Sequence, residues 1–444
     1  MERHAMHYLD TWRSRRGHLP LVLRGARQVG KTWLMREFGK LRYAKTAYVN
    51  FEGNERMQQL FGMDYNIPRI LAGLRIETGI DIRAEDTLLI FDEVQEIPRA
   101  LTSLKYFQEN APEYDILAAG SLLGIAMHPG ASFPVGKVEF LDIGPLTFKE
   151  FLQASDKPEY ADLLFPHTDT DPVFGPSIDM YLAQYLVVGG MPAAVLAYWS
   201  GHSFSAARDV QRQILNAYEQ DFSKHAPTDV VPRLRSLWQS IPAQLARENK
   251  KFVYGRIREG ARAREYETAM QWLLDTGLLR ILSRVTKPGL PLSAYRNASA
   301  FKLYVTDVGL LGAMSRLDPS VLLEGCAVFE EFKGALTEQY VFQQLQDGAG
   351  YEPFYWSADG GTAEVDFVVQ HGRTVYPIEV KAGVNLQAKS LRIYRDRFGP
   401  EVSVRTSLSG YRRDDWLINI PLRSIALLPA ILDAADFSGT KSKT

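Results

Sequence analysis

Apolar residues recur along this chain in two rhythms. Up to about residue 150, short unbroken apolar runs alternate with stretches whose apolar positions return every three or four residues. Runs of the first kind read as strands buried on both faces, and stretches of the second kind as helices packed on one face. The alternation predicts a parallel α/β sheet. Its strands are predicted at Leu19–Arg24, Thr46–Glu52, Thr87–Glu93, Asp115–Gly120 and Lys137–Ile143, and its helices at Lys31–Phe38, Ile67–Thr78 and Arg99–Asn110. From about 150 to 225 the pattern is helical, interrupted by the proline-rich segment Phe165–Pro176 and by Gly189-Gly190-Met191-Pro192.

Between about 230 and 315 the spacing predicts three short helical segments and a hairpin. The helices are Leu234–Leu245, a short one entered through Phe252–Arg258, and Glu265–Leu274; Leu278–Val285 with Lys302–Thr306 makes the hairpin. That order is a winged-helix pattern. The remaining 120 or so residues read as a helix, a hairpin, another helix and further strands. The corresponding division is 1–152, 153–228, 229–318 and 319–437, with 438–444 a polar tail expected to be disordered.

Composition narrows the function classes. The net charge of −1 over 444 residues supplies no global field toward nucleic acid or membrane, so such binding has to use local patches. One such patch is Arg247–Arg264, with seven Lys/Arg against two Glu. Cys326 is the sole cysteine, which rules out an intramolecular disulfide and fits a reducing compartment. No apolar run is long enough for a membrane span and the start lacks a signal-peptide core, so a cytoplasmic protein is expected.

The strongest chemical signal lies directly after the first strand. Gly25-Ala26-Arg27-Gln28-Val29-Gly30-Lys31-Thr32, continuing into Trp33, spells G-x-x-x-x-G-K-T between a strand and a helix. Such a turn cradles phosphates with backbone N–H groups at a helix N-terminus. Its lysine reaches the outer phosphates of ATP and its threonine hydroxyl ligates Mg2+. The third strand ends in Asp92-Glu93, the acid pair expected to hold Mg2+ and to polarise the attacking water, respectively. Ser121 follows the fourth strand and is placed to sense the terminal phosphate.

A second acidic constellation occupies the distal hairpin. With His371-Gly372 as a two-residue turn, Asp366 lies opposite Pro377 and diagonal to Glu379. Period-two alternation then puts Asp366, Glu379 and Lys381 on one face, where two carboxylates converge on Mg2+ or Mn2+ and Lys381 steadies a water or phosphate. Glu338 falls inside the apolar stripe of the helix predicted at Glu331–Gln346, which is costly unless it is paired or metal-bound. The plainer reading of these residues is a charged solvent face.

These motifs together resemble the bacterial and archaeal AAA-superfamily P-loop ATPases that carry a C-terminal DUF4143 domain. The matching segments are GARQVGKT at 25–32, Asp92-Glu93-Val94-Gln95, AAGS at 118–121, PLTFKEFL at 145–152, GGMP at 189–192 and KLYVTDVGLL at 302–311. EVDFVV at 364–369 and IEVKAG at 378–383 resemble the core of PD-(D/E)xK nucleases. The resemblance implies an α/β fold: a P-loop ATPase parallel sheet, then a helical and winged-helix region, then a restriction-endonuclease-like α/β domain. It implies that Lys31, Thr32, Asp92, Glu93 and Ser121 serve the ATP site, and that Glu338, Asp366, Glu379 and Lys381 form a nuclease-type centre. It also implies DNA as partner and a ring or ATP-promoted homo-oligomer. Gly136-Lys137 departs from the glycine-arginine pair often found there, and lysine lacks the planar fork of a trans-acting arginine. The expected function is ATP turnover coupled to DNA binding or remodelling, with metal-dependent cleavage as an added activity. The alternative is a nucleotide-dependent switch that binds DNA or a protein and cuts nothing.

Overall fold

The computed structural model describes residues 3–120, 136–166, 171–246, 251–319, 330–358, 363–383 and 388–434. The chain forms two compact units. One comprises the described residues up to Gly144 together with Gln271–Leu278, and the other those of Pro145–Met270 and from Leu279 onward.

The first unit is built on five parallel strands: β1 (Leu21–Arg24), β2 (Lys45–Asn50), β3 (Thr87–Asp92), β4 (Ile116–Ala119) and β5 (Glu139–Asp142). Their order is β2-β3-β4-β1-β5, so the strand feeding the P-loop sits between β4 and β5. Every residue of β3 is buried, as its unbroken apolar run requires of a central parallel strand. All five expected strands are present; four are trimmed by a residue or more, and β2 begins one residue earlier and ends two earlier than expected. Helix Ile67–Thr78 begins on Asn66, whose side chain accepts from the Arg69 N–H, and ends on Gly79 at φ +70°. The start of the chain forms helix Ala5–Ser14, with Leu9 and Trp12 buried and the Trp12 indole donating to the Leu19 carbonyl.

The second unit carries an eight-stranded mixed sheet and a helical layer. Its strands are β6 (Leu279–Val285), β7 (Arg296–Val305), β8 (Phe354–Ser357), β9 (Glu364–His371), β10 (Thr374–Val380), β11 (Ser403–Ser407), β12 (Arg412–Arg413) and β13 (Leu417–Pro421). The order is β12-β13-β11-β10-β9-β8-β6-β7. The β6–β7 hairpin expected as a wing is present, and it continues the distal sheet: Arg284 and Val285 of β6 pair in parallel with Tyr355 and Trp356 of β8. Backbone hydrogen bonding thus runs across the expected division at residue 319. Pro176, expected to interrupt the helical pattern, lies inside helix Asp171–Val188.

Three motifs from the resemblance meet in this unit. The Asp307 carboxylate accepts from the Gly190 and Leu310 N–H groups at 2.6 and 3.0 Å, and the Leu146 N–H donates to the Gly190 carbonyl at 2.7 Å. A Cβ on Gly190 would lie 2.1 Å from the Leu146 carbonyl oxygen, so the second glycine of GGMP is a packing requirement. Burial pushes the Asp307 carboxyl up to about 6, against the pull of its N–H donors.

Candidate nucleotide-binding site

The turn after β1 has the backbone shape that phosphate binding needs. Gly25, Gln28 and Gly30 hold φ values of +139°, +68° and +94°, so the turn passes through the left-handed region three times. A Cβ on Gly25 would stand 2.1 Å from the Ile143 carbonyl oxygen, so no larger residue fits between the turn and the end of β5. Helix Lys31–Arg42 follows, with Gly30 as its N-cap, and points its positive end at the turn. Ala26, Arg27, Val29, Thr32 and Trp33 complete the turn and first helical residues, and Trp33 is exposed.

Lys31 is buried within this turn and folds back onto it, donating to the carbonyls of Gly25 at 2.7 Å and Ala26 at 2.9 Å. Burial lowers its pKa to about 8, even though the nearby charges of Glu93 and Asp92 favour the ammonium. An ammonium held by neutral carbonyls gains strongly by exchanging them for phosphate oxygens. The geometry fits a triphosphate.

Asp92 terminates β3 and faces the helix. Its Oδ2 accepts from the Thr32 hydroxyl at 2.7 Å and the Tyr48 hydroxyl at 2.9 Å, while Oδ1 accepts from the Glu93 N–H at 3.1 Å. Burial raises the Asp92 pKa, and the Thr32 and Tyr48 hydrogen bonds oppose that rise. Thr32 and Asp92 are therefore adjacent oxygen donors suited to a hard divalent ion. Glu93 adopts φ +51°, a left-handed conformation uncommon for glutamate, and its carboxylate accepts from the Gln95 amide at 2.7 Å. Beside this group opens a cavity of about 660 Å³ lined by Thr32, Trp33, Arg36, Glu37, Lys40, Thr46 and Tyr48.

Several participants left no sequence motif. Tyr48 reaches Asp92 because β2 pairs with β3 in a register that sets Tyr48 across from Ile90. Arg3 donates to the Val29 carbonyl and, from a second nitrogen, to the Gly144 carbonyl, both at 2.9 Å, tying the turn to the end of this unit. A Cβ on Gly277 would lie 3.2 Å from the Ala26 nitrogen, so the distant Gln271–Leu278 segment backs the turn. Lys137, at the position of the departure from the resembled pattern, is ion-paired with Glu109 at 3.3 Å. Ser121 lies outside the described residues.

The distal acids are arranged differently from expectation. The β9–β10 turn is Gly372-Arg373, with His371 paired to Thr374 and Val368 to Pro377. The register therefore differs from the expected one by two positions: continuing the pairing sets Asp366 directly across from Glu379. The shared face survives because a shift of two keeps parity. Asp366 Oδ2 accepts from the Val380 N–H at 2.8 Å, and Glu379 Oε1 pairs with Lys381 at 2.7 Å. Glu338 accepts from the Tyr304 hydroxyl and pairs with the fully buried Lys302 at 3.1 Å; Lys302 also pairs with Glu364 at 2.7 Å. Burial opposes the Lys302 charge, but Glu338, Glu364 and Asp366 outweigh it and hold its pKa above the ordinary lysine value. Among the described residues, no three His, Cys, Asp or Glu side chains converge as a metal-holding group.

Three family models match successive parts of the chain. Residues 18–152 match the AAA domain family, residues 180–321 a domain of unknown function (DUF8612), and residues 333–425 another (DUF4143). The chain is similar to the Walker-type ATPase PABY2304 of Pyrococcus abyssi, at 12% identity and a TM-score of 0.44, over 70% of this chain and 95% of that one. It is also similar to Orc1 of Aeropyrum pernix, solved in complex with DNA (14% identity, TM-score 0.27, 72% and 94% covered). A third similar structure is Cdc6p of Pyrobaculum aerophilum, with 12% identity, a TM-score of 0.26, and 73% and 95% covered. No curated protein matches. Among the described residues no helix is long and apolar enough to cross a membrane. The N-terminal part of the chain, with its P-loop motif, thus matches an AAA domain, and the part toward the C-terminus matches DUF4143.

Proposed function

We propose that this protein binds and hydrolyses ATP and couples turnover to DNA binding. The observation that carries the first half is the Lys31–Thr32–Asp92–Glu93 group: a lysine on displaceable carbonyls, two adjacent oxygen donors, and an acid at the end of β3. Backbone N–H groups of 25–30 and the Lys31 ammonium would hold the phosphates, and Thr32 and Asp92 would hold Mg2+, which supplies charge neutralisation on the phosphate oxygens. Glu93, fixed by Gln95, would orient a water for attack. Lys31→Ala should abolish phosphate release, and Glu93→Gln should abolish it while ATP still binds. Unchanged turnover in both variants would defeat the assignment.

The DNA half draws on an exposed basic run. Lys251, Arg256, Arg258, Arg262 and Arg264 are all exposed around a short helical turn, and Arg258 shares its charge with Glu265 at 2.8 Å. Such cations suit phosphate contacts that give salt-dependent affinity. Assembly into a homo-oligomer belongs to the same proposal, since catalytic groups of AAA-type ATPases commonly come from two subunits. The deciding experiment measures ATPase rate with and without single-stranded, duplex and branched DNA, and DNA affinity across salt. A rate indifferent to every DNA, with no salt-dependent binding, would leave an ATPase serving a protein partner.

Metal-dependent DNA cleavage is the competing reading for the distal sheet, and Asp366 across from Glu379, with Lys381 nearby, is what favours it. The ion pairs around those acids favour the non-cleaving switch instead.

A further inference from the structure

Strands β7, β9 and β10 and helix Glu330–Gln343 gather carboxylates around one fully buried lysine. Lys302 and Tyr304 alternate along β7 and so share a face, and both bond Glu338 on the helix. The Lys302 ammonium also meets Glu364 at the start of β9, and its side chain has no exposure. The same helix fastens β7 with neutral groups. The Gln339 amide accepts from the Val305 N–H at 3.1 Å and donates to the Val305 carbonyl at 2.7 Å, and Gln343 accepts from the Val308 N–H at 3.1 Å. β7 is the edge strand of the sheet, and this helix covers part of its open backbone.

We propose that the Lys302 ammonium occupies the place a divalent ion would take among these carboxylates, making the distal acidic cluster a closed internal ion-pair lattice and not a metal site. The acids are partly offset from within: an ammonium with three donors meets Glu338 and Glu364 in direct contact, with Asp366 close enough to act on its charge. The other two oxygen donors are committed as well, Asp366 to the Val380 N–H and Glu379 to Lys381. Glu379 Oε2 is left without a hydrogen-bond partner among the described residues, and it is sealed from solvent. Mg2+ keeps several of its waters when bound to one or two carboxylates, and a sealed oxygen offers them no room. The lattice clamps the β6–β7 hairpin onto the DUF4143 region. This inference rests on the distal geometry and stands or falls apart from the ATPase assignment.

The test counts Mn2+ bound to the nucleotide-free full-length protein by electron paramagnetic resonance, in wild type, Asp366→Asn, Glu379→Gln and Thr32→Ala. Asp366→Asn and Glu379→Gln should bind as many Mn2+ as wild type, whatever Thr32→Ala does at the nucleotide site. One Mn2+ lost in either distal variant would overturn the proposal. A second measurement asks what Lys302 does. Lys302→Met should lower the melting temperature on the order of 10 °C, because it strands the buried Glu338 without its counter-charge. Adding Glu338→Gln to Lys302→Met should recover part of that loss. A Lys302→Met protein that melts with wild type would also overturn the lattice. Should that variant fail to fold, the wild-type and distal-acid Mn2+ counts still decide.

Discussion

Lys31 in the P-loop and Lys302 in the distal sheet are both buried, yet their partners differ in kind. Lys31 is bonded to two neutral carbonyls, whereas Lys302 is bonded to two carboxylates. Burial drives the first pKa down to about 8; the acids drive the second up despite burial. An ammonium surrounded by carbonyls carries charge that its surroundings do not cancel, and an arriving anion completes it. One surrounded by carboxylates is already neutralised and offers a ligand nothing. The same residue type thus marks an open site in one unit and a sealed joint in the other, and its partner set tells the two apart.

The largest expected effect breaks this contrast at the open site. Lys31→Ala should reduce phosphate release by a factor on the order of 100 or more, read in a steady-state assay at saturating ATP. Next come two substitutions of opposite sign. In chemical denaturation of the nucleotide-free protein at pH 7, Lys302→Met should cost about 3–5 kcal/mol as an uncompensated buried charge pair. Lys31→Met should stabilise by an amount on the order of 1–3 kcal/mol, because it removes an ammonium that folding makes less favourable. The sign follows from the lowered folded pKa. The penalty is full below about pH 8, where both states carry the proton, and shrinks between about 8 and 10.5 as the folded state releases its proton first. The Lys31→Met gain should therefore fade over that window. A gain constant with pH would mean that Lys31 is not the group titrating.

Smaller effects test the neighbours of each lysine. Tyr48→Phe removes one of two hydroxyl donors on Asp92 Oδ2, and should slow turnover by roughly 3- to 10-fold with little change in stability. At the margin of the same unit, His18 is hydrogen-bonded to Asp115 at 2.8 Å, which raises its pKa from the ordinary value of 6.5. His18→Gln should destabilise by about 1 kcal/mol below pH 6.5, an effect that disappears as pH rises through the raised folded pKa.

How much of this was legible depended on whether each contact is encoded locally. The P-loop, the β3 acids and all five strands of the first sheet follow from runs of six to eight residues, whose period and turn chemistry dictate structure by themselves. Helix Ile67–Thr78 was legible to the residue because Asn66 and Gly79 punctuate it. Tyr48 and Arg3 were not, since their roles depend on strand register and on a clamp reaching 141 residues along the chain. In the distal unit the face shared by Asp366 and Glu379 was legible from alternation, while the register was not, because His371-Gly372 and Gly372-Arg373 are both plausible turns. The buried position of Glu338 in its helix was legible too. Its lysine partner was hidden in KLYVTD, a strand segment that reads as ordinary until it pairs with β6 and meets the helix.

The parallel pairing of β6 with β8 has a practical corollary for anyone dividing this molecule. A fragment beginning near residue 319 would keep Glu338, Glu364 and Asp366 but discard the fully buried Lys302 that faces them, and it would bare the β8 edge to solvent. Such a piece is primed to stick to its own copies. A cut placed ahead of β6, near Gly277, keeps the sheet whole.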